Sequence, residues 1–242
     1  FLVNDLASAR LGSGQYHSSV ATLEDGGFVV TWLSQGQDGS GHGVYGQRYN
    51  ANGQVVDGEF RVNTYTSSNQ YEPSVAGLEE GGFVITWRDD SGHDGGSSSD
   101  IRGQLYDDDG DAVGEEFLIN TQVSGSQYEP SVASLKEGGF VVTWRDDSGG
   151  SHDSGSGIDV WARIFNTDGT EAVGEFRVNE THISSSQYEP AVASLYPTAI
   201  SLSPGVTVMA AVMMTVRERE VAMMYGPVFL AMMELKLSVS SG

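Results

Sequence analysis

A seven-residue element that occurs three times constrains the fold of this chain more than any other feature. It reads Gly-Gly-Phe-Val-Val/Ile-Thr-Trp and ends at Trp32, Trp87 and Trp144, so successive copies are 55 and 57 residues apart. A glycine pair followed by β-branched and aromatic residues predicts a strand that is buried on both faces of a sheet. A motif that returns at this period indicates a repeat protein, and the repeat unit must be defined first.

Each repeat unit contains four predicted strands. A small-residue strand follows Gln-Tyr-Glu-Pro, and the proline favours the start of that strand because it lacks a backbone donor. After the central strand come a Gly/Ser/Asp loop of variable length, an alternating third strand, and a hairpin turn of the Asn-Gly or Asp-Gly type. The fourth strand carries Glu-Phe-x-Val/Ile-Asn. Its first copy is Phe1-Leu2-Val3-Asn4, so the chain enters part-way through a unit.

The repeat predicts a fold class. Four antiparallel strands in about 57 residues match the size of a propeller blade. A single four-stranded sheet would leave both apolar faces in water, and neighbouring copies can cover those faces by stacking around an axis with the small first strand innermost. We therefore predict an all-β fold of tandem four-stranded antiparallel blades, similar to a β-propeller, over residues 1–196, with central strands near 26–33, 81–88 and 138–145. A β-sandwich is the alternative architecture.

Residues 197–242 depart from the repeat. All seven methionines of the chain lie there and no aspartate does. A helical domain is one interpretation. We favour a frameshifted further repeat, because the codons read in a shifted frame can encode another copy of the unit. Consecutive methionines force an aspartate in that frame, and Met223-Met224 places it at the position equivalent to Asp159. Met232-Met233 does the same for Asp168. We expect the tail as written not to continue the blade.

Composition limits the partners. The chain has 33 acidic and 12 basic residues and a formal net charge of -21. Such a surface repels phosphate backbones and anionic membranes, so we expect no nucleic acid partner and expect cations to be the natural small partners. The apolar tail is interrupted at residues 217–220 and is too short to span a bilayer, which predicts no membrane insertion. Cysteine is absent, so disulfides and thiolate metal sites play no part.

The repeated elements carry a resemblance to known families. Gly-Gly-Phe-Val-Val-Thr-Trp, the acidic Gly/Ser loop, Glu-Phe-x-Val-Asn-Thr and Gln-Tyr-Glu-Pro-Ser-Val-Ala together resemble repeats of large secreted bacterial calcium-binding proteins of the hemolysin-type and cadherin-like class. The strand plan also resembles sialidase-type blades, whose Asp-box turn lies between the third and fourth strands, as residues 166–169 do here. Neither the glycine-rich nonapeptide nor the full Asp box is present. The resemblance covers residues 1 to about 196 and implies a secreted or cell-surface location.

Catalytic patterns are weak in the sequence. The five histidines fall in loops or links without a close pair, and no Gly-x-Ser-x-Gly element or Ser/His/Asp grouping recurs. The arginines Arg48, Arg102 and Arg163 occupy different strand positions, so we interpret them as strand-face residues and not as a sialidase-type arginine set. The repeated tryptophans and tyrosines could stack on sugar rings, but packing between blades is the favoured interpretation. The sequence therefore predicts a protein that is not an enzyme.

Two functions remain open. The favoured one is a non-catalytic structural or adhesive repeat region of a large secreted or surface bacterial protein, with surface glycans or neighbouring repeats of the same chain as partners. The alternative is part of a sialidase-like glycoside hydrolase or a carbohydrate-binding propeller, in which functional residues arise where single blades depart from the repeat.

The acidic loops after the second and third central strands predict calcium sites. Carboxylates on a glycine-rich backbone are the hard oxygen ligands that calcium prefers, although no EF-hand pattern is present and a merely solvated acidic loop is the alternative. The first copy has lost the paired aspartates and should bind weakly or not at all. The predicted ligands are Asp89, Asp90, Asp94, Asp100, Asp146, Asp147, Asp153 and Asp159.

Overall fold

The computed structural model describes residues 14–93, 99–136, 138–148, 157–179 and 186–194, and the backbone alone for residues 195, 211–218 and 231–232. Within these ranges the chain is all-β, which confirms the predicted fold class. No helix there is long and apolar enough to cross a membrane.

The strands form three complete four-stranded blades and a fourth sheet. Blade 1 contains β1 (Gln15–Thr22), β2 (Phe28–Gln35), β3 (His42–Tyr49) and β4 (Val55–Arg61). Blade 2 contains β5 (Gln70–Gly77), β6 (Phe83–Asp89), β7 (Asp100–Tyr106) and β8 (Ala112–Leu118). Blade 3 contains β9 (Gln127–Ser134), β10 (Phe140–Asp146), β11 (Asp159–Phe165) and β12 (Glu171–Arg177). The fourth sheet contains β13 (Gln187–Leu195), β14 (Ala211–Glu218) and β15 (Ala231–Met232).

Every blade is an antiparallel meander in which neighbouring strands are consecutive in the chain. The Asn-Gly and Asp-Gly hairpins form as predicted. Gly53, Gly110 and Gly169 have φ values of 74°, 83° and 80°, which glycine adopts without steric cost. This connectivity places the start of the first strand and the loop after the central strand at the same end of each blade. We call this the loop end.

The blades pack face to face through their central strands. Between blades 1 and 2, Val29 and Leu33 pack in one cluster with Phe83, Ile85 and Trp87. Trp87 and its counterpart Trp144 in blade 3 are 0% exposed. The tryptophan near the end of each central strand is therefore buried in the core, as predicted, and is not available to stack on a sugar.

The first strand of each blade is innermost, and its small residues are required by crowding. A Cβ added to Gly77 of β5 would lie 2.1 Å from the Thr22 carbonyl oxygen of β1. Between blades 2 and 3, the Val132 N–H donates to the Ser74 hydroxyl at 3.2 Å. The Val192 N–H donates to the Ser131 hydroxyl at 3.2 Å in the same way. Adjacent inner strands therefore join through side chains and not through a backbone ladder.

Proline occupies a different place from the one expected. The inner strands begin at Gln70, Gln127 and Gln187, three residues before the proline. In β5 the register shifts between Tyr71 and Ser74, so Glu-Pro forms a bulge in the strand. A bulged residue does not contribute to the hydrogen-bond ladder, which is why proline is tolerated inside the strand here.

The tail differs in part from the expectation. Residues 211–218 form β14 and pair with β13, with Arg217 opposite Tyr188, as Arg88 lies opposite Tyr71 in blade 2. The β-branched residues among Ala-Val-Met-Met-Thr-Val give this segment strand propensity, so the expectation that the tail would not continue the sheet is corrected for these residues. The frameshift interpretation stays a prediction.

Candidate active site

The loop end of the blades presents a repeated glutamate. Glu72, Glu129 and Glu189 follow the tyrosine of the inner strand and have φ values of 55°, 53° and 52°. We call these three residues the axial glutamates. A left-handed backbone conformation at a residue other than glycine costs about 1–2 kcal/mol, and such strain concentrates at functional sites. Each bulge therefore holds its glutamate in a backbone conformation that costs free energy.

The axial glutamates are linked from blade to blade. Glu72 Oε2 accepts the backbone N–H of Glu129 at 2.7 Å. Glu129 Oε2 accepts the N–H of Glu189 at 3.0 Å in the same way. In blade 1 the equivalent residue is His17, with a φ of 50°, so the backbone conformation persists although the side chain changes. The strained conformation is thus a property of the inner strand in all four copies.

Each of the first two axial glutamates faces an arginine. Arg145 Nη1 lies 2.9 Å from Glu129 Oε1, and Arg88 Nη1 lies 4.0 Å from Glu72 Oε1. The two carboxylate side chains are 33% and 27% exposed, so a ligand can still reach them. Paired carboxyl groups that a substrate can reach are what general acid–base chemistry on a glycosidic bond requires.

The arginines are held between tyrosines of successive blades. The Arg88 guanidinium lies 5.3 Å from the Tyr71 ring centroid and 4.6 Å from that of Tyr128. The Arg145 guanidinium lies 4.7 Å from the Tyr128 ring and 5.2 Å from the Tyr188 ring. We call this arrangement the tyrosine–cation ladder. The repeated tyrosines therefore pack between blades, as predicted, and the cation–π contacts hold each guanidinium in place.

In blade 1 an imidazole takes the place of the guanidinium. The His42 ring lies 6.3 Å from Tyr16 and 5.3 Å from Tyr71, while Leu33 stands at the strand position of Arg88. Blade 1 therefore differs from blades 2 and 3 in two places: at the position of the axial glutamate and at the cation between the tyrosines.

Four of the predicted calcium ligands lie at strand ends and are buried. Asp89 and Asp100 are directly opposite each other at the loop end of blade 2, and Asp146 and Asp159 are opposite each other in blade 3. Their exposed fractions are 2%, 2%, 3% and 4% in that order. Asp94 and Asp153 lie outside the described residues.

These buried carboxylates bind side-chain and backbone N–H donors. Asp89 accepts from the Gln70 amide at 3.1 Å and pairs with Arg102 at 3.2 Å. Asp100 accepts from the Asn120 amide at 2.8 Å. Asp159 and Asp146 accept from the Asn179 amide and the Ser148 N–H, both at 2.6 Å. Sequence reasoning missed this role, although the signal was present in the glutamine and asparagine that recur at fixed places in every copy.

The remaining predicted ligands, Asp90 and Asp147, begin the loops. Asp90 pairs with Arg88 at 2.8 Å, and Asp147 accepts from the Ser126 N–H and, at 3.3 Å, from the Tyr128 hydroxyl. Over the described ranges, no three histidine, aspartate or glutamate side chains are grouped so as to hold a metal ion. Calcium binding stays a prediction.

Blade 2 carries a buried ion cluster that its neighbours lack at the same strand position. Arg102 lies between Asp89 and Glu116, at 3.2 Å from each, and all three side chains are at most 4% exposed. The strand position of Arg102 is Tyr45 in blade 1 and Trp161 in blade 3. Arg102 also stacks on Tyr65 at 5.0 Å. The three predicted strand-face arginines thus have different surroundings, since Arg48 and Arg163 bind backbone carbonyls of blade 2.

Solved structures of known proteins match this chain in fold, but no known family profile and no curated protein matches its sequence. An α-L-arabinanase of Penicillium chrysogenum solved with arabinobiose aligns over 84% of this chain and 61% of its own, at 12% identity and a TM-score of 0.56. An α-L-arabinofuranosidase of Fusarium graminearum solved with an iminosugar inhibitor aligns over 83% and 60%, at 12% identity and a TM-score of 0.58.

A microbial sialidase aligns over 84% of this chain and 42% of its own, at 13% identity and a TM-score of 0.57. The chain thus spans about 60% of the length of the first two structures. The sialidase-type part of the resemblance is supported at the level of fold, and nothing in the comparisons supports the hemolysin-type part.

These comparisons correct the prediction that the chain is not an enzyme. That prediction depended on the similarity of the blades to one another, yet glycoside hydrolases share this architecture. Similar blades therefore do not argue against catalysis, because a few side chains at one end of the array are enough to form a site. The chain has the all-β blade architecture of propeller glycoside hydrolases.

Proposed function

We propose that this chain is part of a carbohydrate-active β-propeller that hydrolyses glycosidic bonds at the loop end of its blades. The observation that carries the proposal is the set of axial glutamates, which the inner strands hold in a left-handed conformation on successive blades. The likeness of the fold to arabinan-degrading enzymes and a sialidase supports it.

The chemistry needs two carboxyl groups with different roles. One, as an acid, protonates the oxygen of the leaving sugar, and the other acts as nucleophile or activates a water that attacks the anomeric carbon. Glu72 and Glu129 are the candidates, since they belong to neighbouring blades and both are partly exposed. Arg145 fixes the Glu129 carboxylate without covering it, and Arg88 lies 4.0 Å from that of Glu72.

The charge of the protein narrows the substrate class. At a net charge of -21, a polyanionic glycan would be repelled during approach, so neutral glycans are the better substrates. Arabinose-containing oligosaccharides are the first to test, because the arabinanase structure holds arabinobiose.

The test uses the intact chain with chromogenic glycosides and arabinan oligosaccharides. We expect Glu129→Gln and Glu72→Gln to lower kcat/KM by at least about 100-fold, the usual contribution of a general acid or base. Glutamine still accepts the N–H bond from the next blade, so the circular dichroism spectrum should not change. Glu79→Gln, at an exposed turn of blade 2, is the matched control and should retain full activity. Full activity in both site variants would show that these carboxylates are not the acid–base pair.

Glycan binding without turnover is the second candidate. The partly buried tyrosines of the ladder favour it, since they supply aromatic surface at the same end as the axial glutamates. Titration calorimetry of the intact chain with the same oligosaccharides separates the two functions, because a binding module would give heat without release of product.

We propose two further properties of the chain. One is calcium binding by the acidic loops, supported by their paired aspartates and glycines. The other is a secreted or cell-surface location, supported by the resemblance of the repeats. Fractionation of the source cells with an antibody to this chain tests the location.

A further inference from the structure

Blades 2 and 3 contain the same loop-end sequence in two arrangements. Thr-Trp-Arg-Asp-Asp-Ser-Gly spans residues 86–92 in blade 2 and 143–149 in blade 3. In blade 2, Arg88 forms two hydrogen bonds to the loop carboxylate of Asp90, at 2.8 and 3.0 Å, and stays 4.0 Å from the axial carboxylate of Glu72. The arginine of blade 2 is therefore bound on the loop side.

In blade 3 the arginine is bound on the axial side. Arg145 Nη1 donates to Glu129 Oε1 at 2.9 Å, while Asp147 accepts from the Ser126 N–H and the Tyr128 hydroxyl. Within the described part of the chain, Arg145 Nε is buried and has no hydrogen-bond partner. The equivalent guanidinium therefore binds the loop carboxylate in blade 2 and the axial carboxylate in blade 3.

One sequence difference beside the arginine favours the loop side in blade 2. Arg88 Nε donates to the Ser99 hydroxyl at 3.0 Å, and Ser99 precedes the third strand of blade 2. The equivalent residue in blade 3 is Ile158, which has no hydroxyl group. Without that hydroxyl group, the loop side offers Arg145 one hydrogen-bond acceptor fewer. This favours its hydrogen bond to Glu129. In both blades the tyrosine–cation ladder holds the guanidinium beside the axial glutamate, and in blade 3 the Tyr128 ring that contacts Arg145 also binds Asp147 through its hydroxyl group.

We propose that Arg88 and Arg145 are positioning residues that exchange between a loop aspartate and an axial glutamate, so that the acidic loop sets how firmly each axial carboxylate is held. This inference rests on the proposed function for its catalytic consequence. Blade 1 has no such exchange, because Leu33 replaces the arginine and His17 replaces the glutamate. The exchange gives blades 2 and 3 different axial carboxylates: Glu129 is fixed by an arginine and Glu72 is freer.

The structural test needs no activity. In Ser99→Ala and in Asp90→Asn, we expect crystal structures of the intact chain to place Arg88 Nη1 at hydrogen-bond distance from Glu72 Oε1, about 2.9 Å. Ile158→Ser should move Arg145 away from Glu129. Glu115→Gln, an exposed outer-strand change, is the control and should leave both arginines in place. Arg88 remaining on the loop side in both Ser99→Ala and Asp90→Asn would overturn the exchange.

The kinetic test addresses the positioning role. Arg145→Gln should lower kcat by about 10-fold with little change in KM, because the lost charge-assisted bond orients Glu129 and does not touch substrate. Arg145→Lys should recover part of kcat, whereas a merely structural role would lower stability and leave kcat of the folded fraction unchanged. Unchanged kcat in Arg145→Gln overturns the positioning role. If the wild-type chain hydrolyses no glycoside, the proposed function fails while the crystallographic test still decides the exchange.

Discussion

Buried tyrosine hydroxyl groups lose protons at different pH values in the folded and unfolded chain. Burial, with a smaller effect from the Asp38 carboxylate, raises the pKa of Tyr45 to about 12. Burial also raises the pKa of Tyr106 and of Tyr49, assisted by Glu116 and Glu59. Unfolded tyrosine titrates at about 10, so above that pH the unfolded state is favoured by deprotonation while the folded state still holds its protons.

We therefore expect the free energy of unfolding to be insensitive to these groups below pH 10 and to fall as the pH rises from 10 to about 12. Urea unfolding across this window measures the slope. Tyr45→Phe should reduce the slope, because it removes one of the buried phenol groups whose pKa is raised. An unchanged slope in Tyr45→Phe would contradict the assignment.

The sequence predicted the roles of individual residues only in part. The repeats showed that Glu72 and its counterparts belong to a motif. They did not show that the Glu72 carboxylate binds the backbone N–H of Glu129, because that group belongs to the next blade. Asp89 and Asp100 were interpreted as calcium ligands because acidic side chains next to glycine suggest a metal loop. Their amide partners Gln70 and Asn120 are distant in sequence, and only the fold brings them together.

The turn between the inner and central strands depends on glycine. Gly82 has a φ of 73°, and a Cβ there would lie 2.1 Å from the Tyr106 carbonyl oxygen. Gly139 repeats this arrangement in blade 3, with a φ of 77° and a Cβ position 2.2 Å from the Phe165 carbonyl oxygen. Two physical causes therefore require glycine at this place, the left-handed backbone and the close approach of the third strand.

We predict that Gly82→Ala destabilises the fold by more than about 2 kcal/mol, because it combines both causes. Gly53→Ala is the matched control. Gly53 has a φ of 74° but nothing within 4 Å of an added Cβ, so it should cost only the backbone term of about 1 kcal/mol. Chemical denaturation of both variants separates the two terms. Equal losses in the two variants would mean that crowding by Tyr106 contributes nothing.

At the scale of strands, the sequence was most informative where the period repeated. The predicted central strands overlap β2, β6 and β10, and the hairpins fall at the predicted Asn-Gly and Asp-Gly positions. The bulge at Glu-Pro was not predicted, because proline suggests a strand start when only local propensity is considered. The bulge depends on how β5 pairs with β6, and the sequence of β5 alone does not determine that pairing.

At the scale of the whole molecule, acidic residues lie at both ends of the blades, with Asp89 and Asp90 at the loop end of blade 2 and Asp107, Asp108 and Asp109 at its hairpin turn. A net charge of -21 creates a field that attracts cations and disfavours anionic partners. The same loop carboxylates compete with the axial glutamates for the ladder arginines in the exchange proposed above. A cation bound in the loop of blade 2 would bind Asp90 in place of Arg88. Arg88 would then be free to form a hydrogen bond with Glu72 and hold that carboxylate in place.

We predict that the intact chain binds calcium, because it carries a net charge of -21 and paired aspartates in the loops of blades 2 and 3. We expect calorimetry at physiological salt to show calcium uptake, with the loops of blades 2 and 3 responsible and the loop of blade 1 contributing little. At a free calcium concentration of about 100 Kd, binding to the folded state alone adds about 2.7 kcal/mol per site and raises the melting temperature. Asp90→Asn with Asp147→Asn should abolish most of the uptake, since neither residue is among the deeply buried carboxylates that hold Gln70, Asn120 and Asn179. Glu115→Gln should leave the uptake unchanged. If the chain takes up no calcium, and a chelator leaves its melting temperature unchanged, the loops serve solubility and the arginine exchange must be driven by the protein alone.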